Sequence, residues 1–192
     1  MKLAALALAV VLLPGCATTA RSRGESALAV GNYAGAINEF RAALADHPDN
    51  LEALQGLGVA QYRTGAFADA GATFEEVLAR VPHGRSALLY GALADLQRGE
   101  DGAAEERLTR LRALEPDPRF GAQVDRAMRV LRTGQPAGAE LRAFIAASLE
   151  DSARAASEVR AARLEAERAY YYWRDPLPYR CYPSRRGGLL CF

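Results

Sequence analysis

Gly31, Gly65 and Gly99 stand 34 residues apart, and three other kinds of position keep the same interval. Ala36, Ala70 and Ala104 follow the glycines, then Phe40, Phe74 and Leu108, then Pro48, Pro82 and Pro116. A fixed interval of this length marks a chain of stacked supersecondary units, none of which buries its apolar face alone. Whatever one copy folds into, its neighbours fold into as well, and the copies pack in series.

The copy Leu51–Pro82 shows what each position does. Leu54, Leu57, Gly58 and Tyr62 recur at helical spacing, and so do Phe67, Ala70, Phe74, Val77 and Leu78. Gly65 separates the two stretches, as suits a residue that accepts positive φ after a helix end. Small Gly58 and Ala70 let the two helices approach, and Phe74 fills the wedge between them. Pro82 cannot continue a helix and disfavours one at the residue before it, so the unit ends there.

These marks resemble the tetratricopeptide repeat family over roughly Ala17 to Pro116, and more weakly beyond. The resemblance implies an all-α solenoid of helical hairpins, with three repeats, a degenerate fourth and a long C-terminal capping helix. Arg23 stands where an apolar residue is usual. Asp95 and Asp101 stand where aromatics are usual, which predicts looser packing in repeat three. In this family the first helices of successive repeats line a concave groove. Carried over by position, its lining is Glu52, Gln55, Val59, Tyr62 and Arg63, then Ser86, Leu89, Leu93, Leu96 and Gln97. The lining in repeat three is apolar, and an exposed apolar patch marks a binding surface. The competing expectation is a groove filled from within, by the long helix or the tail.

Met1 to Gly15 reads as a targeting segment: Lys2 gives a positive start, and Leu3 to Leu13 is apolar but shorter than the roughly 20 residues a spanning helix needs. Leu13-Pro14-Gly15-Cys16 resembles the lipobox of bacterial lipoproteins, although Pro14 is unusual there. The resemblance implies cleavage before Cys16 and acyl chains, palmitate among them, on that residue. Ala17 rather than Asp after it resembles outer-membrane sorting. The alternative is an ordinary secretory signal cut after Ala20, leaving a soluble periplasmic protein. Lys2 is the only lysine, so the mature chain carries 23 arginines against 23 acidic residues. That balance argues against nucleic acid as a partner, which needs a clustered basic excess.

Asn50, and Asp117 followed by Pro118, are helix-start signals. Phe120, Val124, Met128 and Leu131 give one more helix before Thr133-Gly134-Gln135-Pro136 breaks it. A long helix follows to Trp173, with Leu141, Phe144, Ile145 and Leu149 expected to dock on the preceding pair. The division is therefore 1–15 targeting segment, 16–136 repeats, 137–173 capping helix and 174–192 tail. No alternating Val, Ile or Thr run signals a strand. The tail, with Pro176, Pro178, Pro183, Gly187 and Gly188, reads as a loop carrying Arg residues and tyrosines beside Trp173.

No residue set points to catalysis, a cofactor or a metal. His47 and His83 flank the inter-repeat prolines and read as solvated turn residues. Glu75-Glu76 and Glu105-Glu106 read as outer face. Cys181 and Cys191 would be the only thiols left once Cys16 is lipidated; a disulfide between them in an oxidising compartment would contribute about 2.5–3 kcal/mol. Free thiols or an intermolecular bond are the alternatives. The expected function is a non-enzymatic adaptor, lipid-anchored at the bacterial outer membrane on its periplasmic face. It would bind a protein or peptide and assist assembly of a pilus, secretion or outer-membrane complex. The alternative is a cell-wall factor that docks peptidoglycan enzymes or binds glycan through the aromatic tail.

Overall fold

The computed structural model describes residues 19–133, 137–174, 181–184 and 188–191. The targeting segment and Cys16 lie outside them. The helices are α1 (Ala20–Ala29), α2 (Tyr33–Asp46), α3 (Leu51–Arg63), α4 (Phe67–Arg80), α5 (Arg85–Arg98), α6 (Asp101–Leu114), α7 (Pro118–Leu131) and α8 (Ala139–Arg174). Apart from one short hairpin, the described chain is all-helical, an array of helical hairpins with a long C-terminal helix. It divides into two compact bodies at the Leu111–Arg112 junction.

In the first body each helix pair closes on a left-handed glycine. Gly31, Gly65 and Gly99 have φ of 78°, 81° and 81°. The residue after each donates its N–H five residues back: Asn32 to Ala27, Ala66 to Gln61 and Glu100 to Asp95, at 2.9–3.0 Å. This is the bond that closes a helix ending in a left-handed residue. Asn32 accepts from the Gly35 N–H at 3.0 Å, and Asn50 accepts from the Ala53 N–H at 2.9 Å. Both satisfy donors that a helix start leaves free.

Packing repeats as the sequence does. A β-carbon placed on Gly24 would lie 2.8 Å from the Phe40 ring, and one on Gly58 would lie 2.8 Å from the Phe74 ring. In the third copy Ala92 and Leu108 take these places, a larger residue facing a smaller one, and both are fully buried. Neighbouring repeats interlock through the same aromatics. Gly56 leaves room for the tip of Phe40, while its counterpart Tyr90 stacks on Phe74 with centroids 6.1 Å apart. Arginines tie the second helices to preceding turns: Arg80 donates to the Pro48 carbonyl at 3.1 Å, and Arg110 to the Pro82 carbonyl at 3.0 Å.

Repeat three is not loosely packed. Ala87, Leu88, Ala92, Leu93, Ala94 and Leu96 of α5 are fully buried, and so are Ala104 and Leu108 of α6. The Asp95 expected to loosen it is itself buried and paired with Arg107.

In the second body α7 packs against α8. Asp117 caps α7, accepting from the N–H groups of Arg119 and Phe120, with Pro118 at the first helical position. Glu115 accepts from the Asp117 N–H at 2.9 Å and faces Arg160 of α8 at 3.6 Å. Phe120, Val124, Ala127 and Met128 are buried on α7, and Ile145, Ala146, Leu149 and Ala156 on α8. Phe144 does not dock as expected: it stands one position off that stripe and is 71% exposed. Leu141, in the first turn, is also exposed.

The tail is not wholly a loop. β1 (Cys181–Ser184) and β2 (Gly188–Cys191) pair antiparallel, with Cys181 opposite Cys191 and Pro183 opposite Leu189. Neither CYPS nor GLLC carries a clean apolar–polar alternation, the pattern that marks a half-buried strand.

Ala70 is fully buried on α4, which packs against α3. Ala70→Leu should destabilise the chain by about 1–3 kcal/mol through overpacking. Ala103→Leu, one residue off the repeated position, should cost less. Urea unfolding of the two variants checks this, and equal losses would refute the assigned register.

Candidate functional site: the first-helix face and its buried polar pairs

The first helices of successive repeats are neighbours: α1 packs beside α3, and α3 beside α5. Their shared face is the surface expected to receive a partner. The structure divides its predicted lining into two classes. Glu52 is exposed, and Gln55, Val59, Arg63, Ser86 and Gln97 are partly exposed. Tyr62, Leu89, Leu93 and Leu96 are buried. Those three leucines are therefore core and not open groove lining. The physical reason is legible in α5, RSALLYGALADLQR, which is apolar nearly all round, and such a helix is buried on all sides. What remains accessible on this face is mostly polar. The Arg21–Glu25 pair, 2.7 Å apart, holds the corresponding positions of α1.

Tyr62 is fixed by rings on two elements. It meets Phe67 of its own repeat at 5.5 Å and Tyr90 of the next at 5.6 Å, the latter edge-on. Such pairs add roughly 0.5–1.5 kcal/mol beyond the area they bury. Tyr62 thus joins repeats two and three and does not stand free as a recognition residue.

A second periodicity, in polar residues, runs beside the apolar one and is not among the expected site residues. Gln61 and Asp95 are equivalent, as are Thr73 and Arg107. The Thr73 hydroxyl donates to Gln61 Oε1 at 2.7 Å. In the next copy Arg107 Nη1 donates to Asp95 Oδ2 at 2.5 Å. Each bond joins the two helices of one repeat in its interior. In repeat one the first of these positions is Ala27, and Glu39 instead takes Arg23 at 2.8 Å. That pairing explains the unusual Arg23. The signal was available as two polar residues 12 apart, recurring at the repeat interval, each standing within an apolar stripe.

The Arg107 side chain passes over Gly91, where a β-carbon would lie 3.1 Å from it, and its Nη2 also meets Glu75 of the preceding repeat. Glu75 is thus an inter-repeat contact as well as an outer-face residue. Asp95 is 1% exposed. Burial pushes its carboxyl up to about 6 from an ordinary 3.8, and Arg107 opposes this only in part. Glu100 adds to the rise, and Arg98 works against it.

His47 and His83 are exposed beside their prolines. Among the described residues no group of His, Cys, Asp and Glu could hold a metal ion, and no helix is long and apolar enough to cross a membrane. In the second body a groove lies between the start of α7 and the middle of α8. Pro118, Phe120, Ala155, Ala156 and Val159 give it an apolar surface, and Arg119, Arg126 and Arg163 give it positive charge beside Asp117. Its residues come from two separate stretches of chain, so helix packing and not local sequence assembles it.

Truncating Arg107 tests the pair. Arg107→Met should cost about 3–5 kcal/mol at pH 7, because a buried carboxylate loses its counter-charge. Glu75→Gln should cost under about 1 kcal/mol, since Glu75 is 63% exposed. Chemical denaturation at fixed pH separates the two.

The raised Asp95 pKa sets the sign of a pH effect. Between pH 4 and 6 the folded chain binds more protons at Asp95 than the unfolded chain does. The stability from that proton is present below about pH 4 and is lost as pH rises through about 6. The stability of the native protein relative to Asp95→Asn should therefore fall on going from pH 4 to pH 7, by on the order of 2 kcal/mol. Paired unfolding curves at several pH values check the direction.

Comparisons agree with this geometry. Residues 21–85 match the family model described as tetratricopeptide repeat. A comparison with curated proteins gave no match. Among solved structures, the Yersinia enterocolitica type III secretion translocator chaperone SycD is similar at 20% identity and TM-score 0.55, over 59% of this chain and 81% of that one. The TPR2B domain of yeast Sti1, solved in complex with pHsp70, gives 17% identity and TM-score 0.53, over 60% and 95%. An O-GlcNAc transferase of Thermobaculum terrenum gives 21% and 0.54 over 70% of this chain, but only 25% of its own length. At such identities the likeness is one of fold. Residues 21–85 thus match the tetratricopeptide repeat model, and the described chain shares the helical-hairpin fold of these structures.

Proposed function

We propose that the protein is a non-enzymatic adaptor whose first-helix face, from α1 to α5, receives a protein or peptide partner. One observation carries this reading. The described chain spends its polar interior groups on joining helices, as in Gln61–Thr73 and Asp95–Arg107, and leaves an accessible strip across adjacent first helices. Repeats of this kind serve generally as protein-interaction modules; SycD is a translocator chaperone, and the Sti1 domain was solved in complex with pHsp70. The strip through Gln55, Val59, Arg63 and Gln97 is mixed and largely polar. It suits an extended polar peptide better than an apolar helix.

The lipobox-like Leu13-Pro14-Gly15-Cys16 supports a lipid anchor at Cys16, and Ala17 supports the outer membrane with the repeats on the periplasmic side. In that setting the adaptor assists assembly of an envelope complex such as a pilus or secretion channel.

Photo-crosslinking in cells tests both halves. A crosslinking residue at Gln55 or Gln97 should yield a discrete protein adduct, whereas one at exposed Ala72 of α4 should not. Equal adducts at all three positions would refute the assigned face. Cys16→Ala should move the protein from the membrane fraction to the soluble periplasm, or leave it uncleaved. A native protein that is already soluble, with Arg21 as its first residue, would refute the anchor. Leu93 is unsuitable as a probe, since a charge there enters the core and reports on folding.

A further inference from the structure

We propose that Cys181 and Cys191 form an intrachain disulfide that closes the C-terminal hairpin. The backbone pairs β1 and β2 antiparallel with these two residues directly opposite, at the ends of the strands farthest along the chain from residues 185–187. Directly opposed residues of an antiparallel pair have Cα atoms about 4.5 or 5.5 Å apart, according to whether the pair is hydrogen-bonded. Both distances fall in the range of about 4.4–6.8 Å that a disulfide accepts. Opposed residues also lie on one face of the hairpin, so the register meets both requirements without backbone movement. A slip of one residue would put the two cysteines on opposite faces.

The hairpin has a need that such a bond meets. Each strand is four residues long, and an isolated two-stranded hairpin is marginal in water. Pro183, opposite Leu189, has no N–H to give to the ladder. A covalent link at the outermost pair encloses the whole hairpin.

The chemistry is thiol–disulfide exchange with an external disulfide as oxidant, either a protein or a small-molecule disulfide. One cysteine thiolate attacks the oxidant's disulfide and expels a thiolate, forming a mixed disulfide. The second cysteine thiolate then attacks the protein sulfur of that mixed disulfide and expels the other thiolate. The two thiol protons pass to the two expelled thiolates, one S–S bond forms in the chain, and the oxidant takes up two electrons to become two thiols. The occurrence of the bond in the cell rests on the export proposed above, but the capacity of the chain to form it does not.

The test therefore has two arms. The full chain carrying Cys16→Ser holds Cys181 and Cys191 as its only thiols. Equilibrated in a mixture of oxidised and reduced glutathione, it should become a monomer lighter by two hydrogens. It should resist alkylation and yield one peptide linking Cys181 to Cys191. Two alkylated thiols, mixed glutathione adducts at both cysteines, or interchain dimers would overturn the proposal. In the second arm, native protein is alkylated on cell lysis. An oxidised pair there supports both the disulfide and export. A reduced pair in cells, with oxidation in glutathione, would count against export and leave the site standing.

Discussion

The array depends on one contact, a small residue on a first helix meeting a large one on the second. Gly24 against Phe40 and Gly58 against Phe74 set how closely the helices of repeats one and two approach, because a β-carbon at either glycine would strike the ring. Ala92 against Leu108 preserves the fit in repeat three with the volumes traded. Close packing leaves no slack for changing one member alone. The same rings then serve the next interface, Phe40 over Gly56 and Phe74 under Tyr90, so each repeat is built on the surface its predecessor finishes. This is how local helix pairs become a continuous core.

The buried polar pairs act on this apolar frame without replacing it. Gln61–Thr73 joins two neutral groups, whereas Asp95–Arg107 joins two charges at equivalent positions. A hydrogen bond between neutral partners stabilises a fold modestly. A charged pair must first offset the loss of hydration of both partners. The rise in the Asp95 pKa indicates that Arg107 offsets that loss only in part. Arg107 also reaches Glu75, so repeat three is joined to repeat two by a side chain anchored inside repeat three. Position specificity accompanies the cost, because neither partner is satisfied if the helices slide.

For function, what matters is which groups are left over. The interior pairs and stacked rings consume Tyr62, Gln61 and Asp95, and α5 consumes Leu89, Leu93 and Leu96. Polar and half-buried residues on the first helices remain, and in the second body an arginine-bearing groove remains between α7 and α8. Among the described residues no group of His, Cys, Asp and Glu could hold a metal ion.

Local sequence determined the elements and their order. Gly31, Gly65 and Gly99 predicted the helix ends because positive φ is a property of single residues, and the structure has all three there. Asn50 and Asp117 predicted helix starts because a cap bonds within its own turn. The pairing of Gly58 with Phe74 was legible because a repeated interval reveals long-range partners that a single segment hides. Tertiary structure alone decided which side of each helix stays open. The lining leucines of α5 occupy positions that face a groove in the repeat pattern, yet they are buried, since burial depends on everything packed around a helix. It also decided that Phe144 stays exposed while Ile145 docks, and that Asp95 is buried in repeat three where an acidic residue predicted looseness, because Arg107 lies within reach to pair with it. The opposition of Cys181 and Cys191 belongs to the same class: register is a relation between strands, and neither four-residue strand specifies it alone.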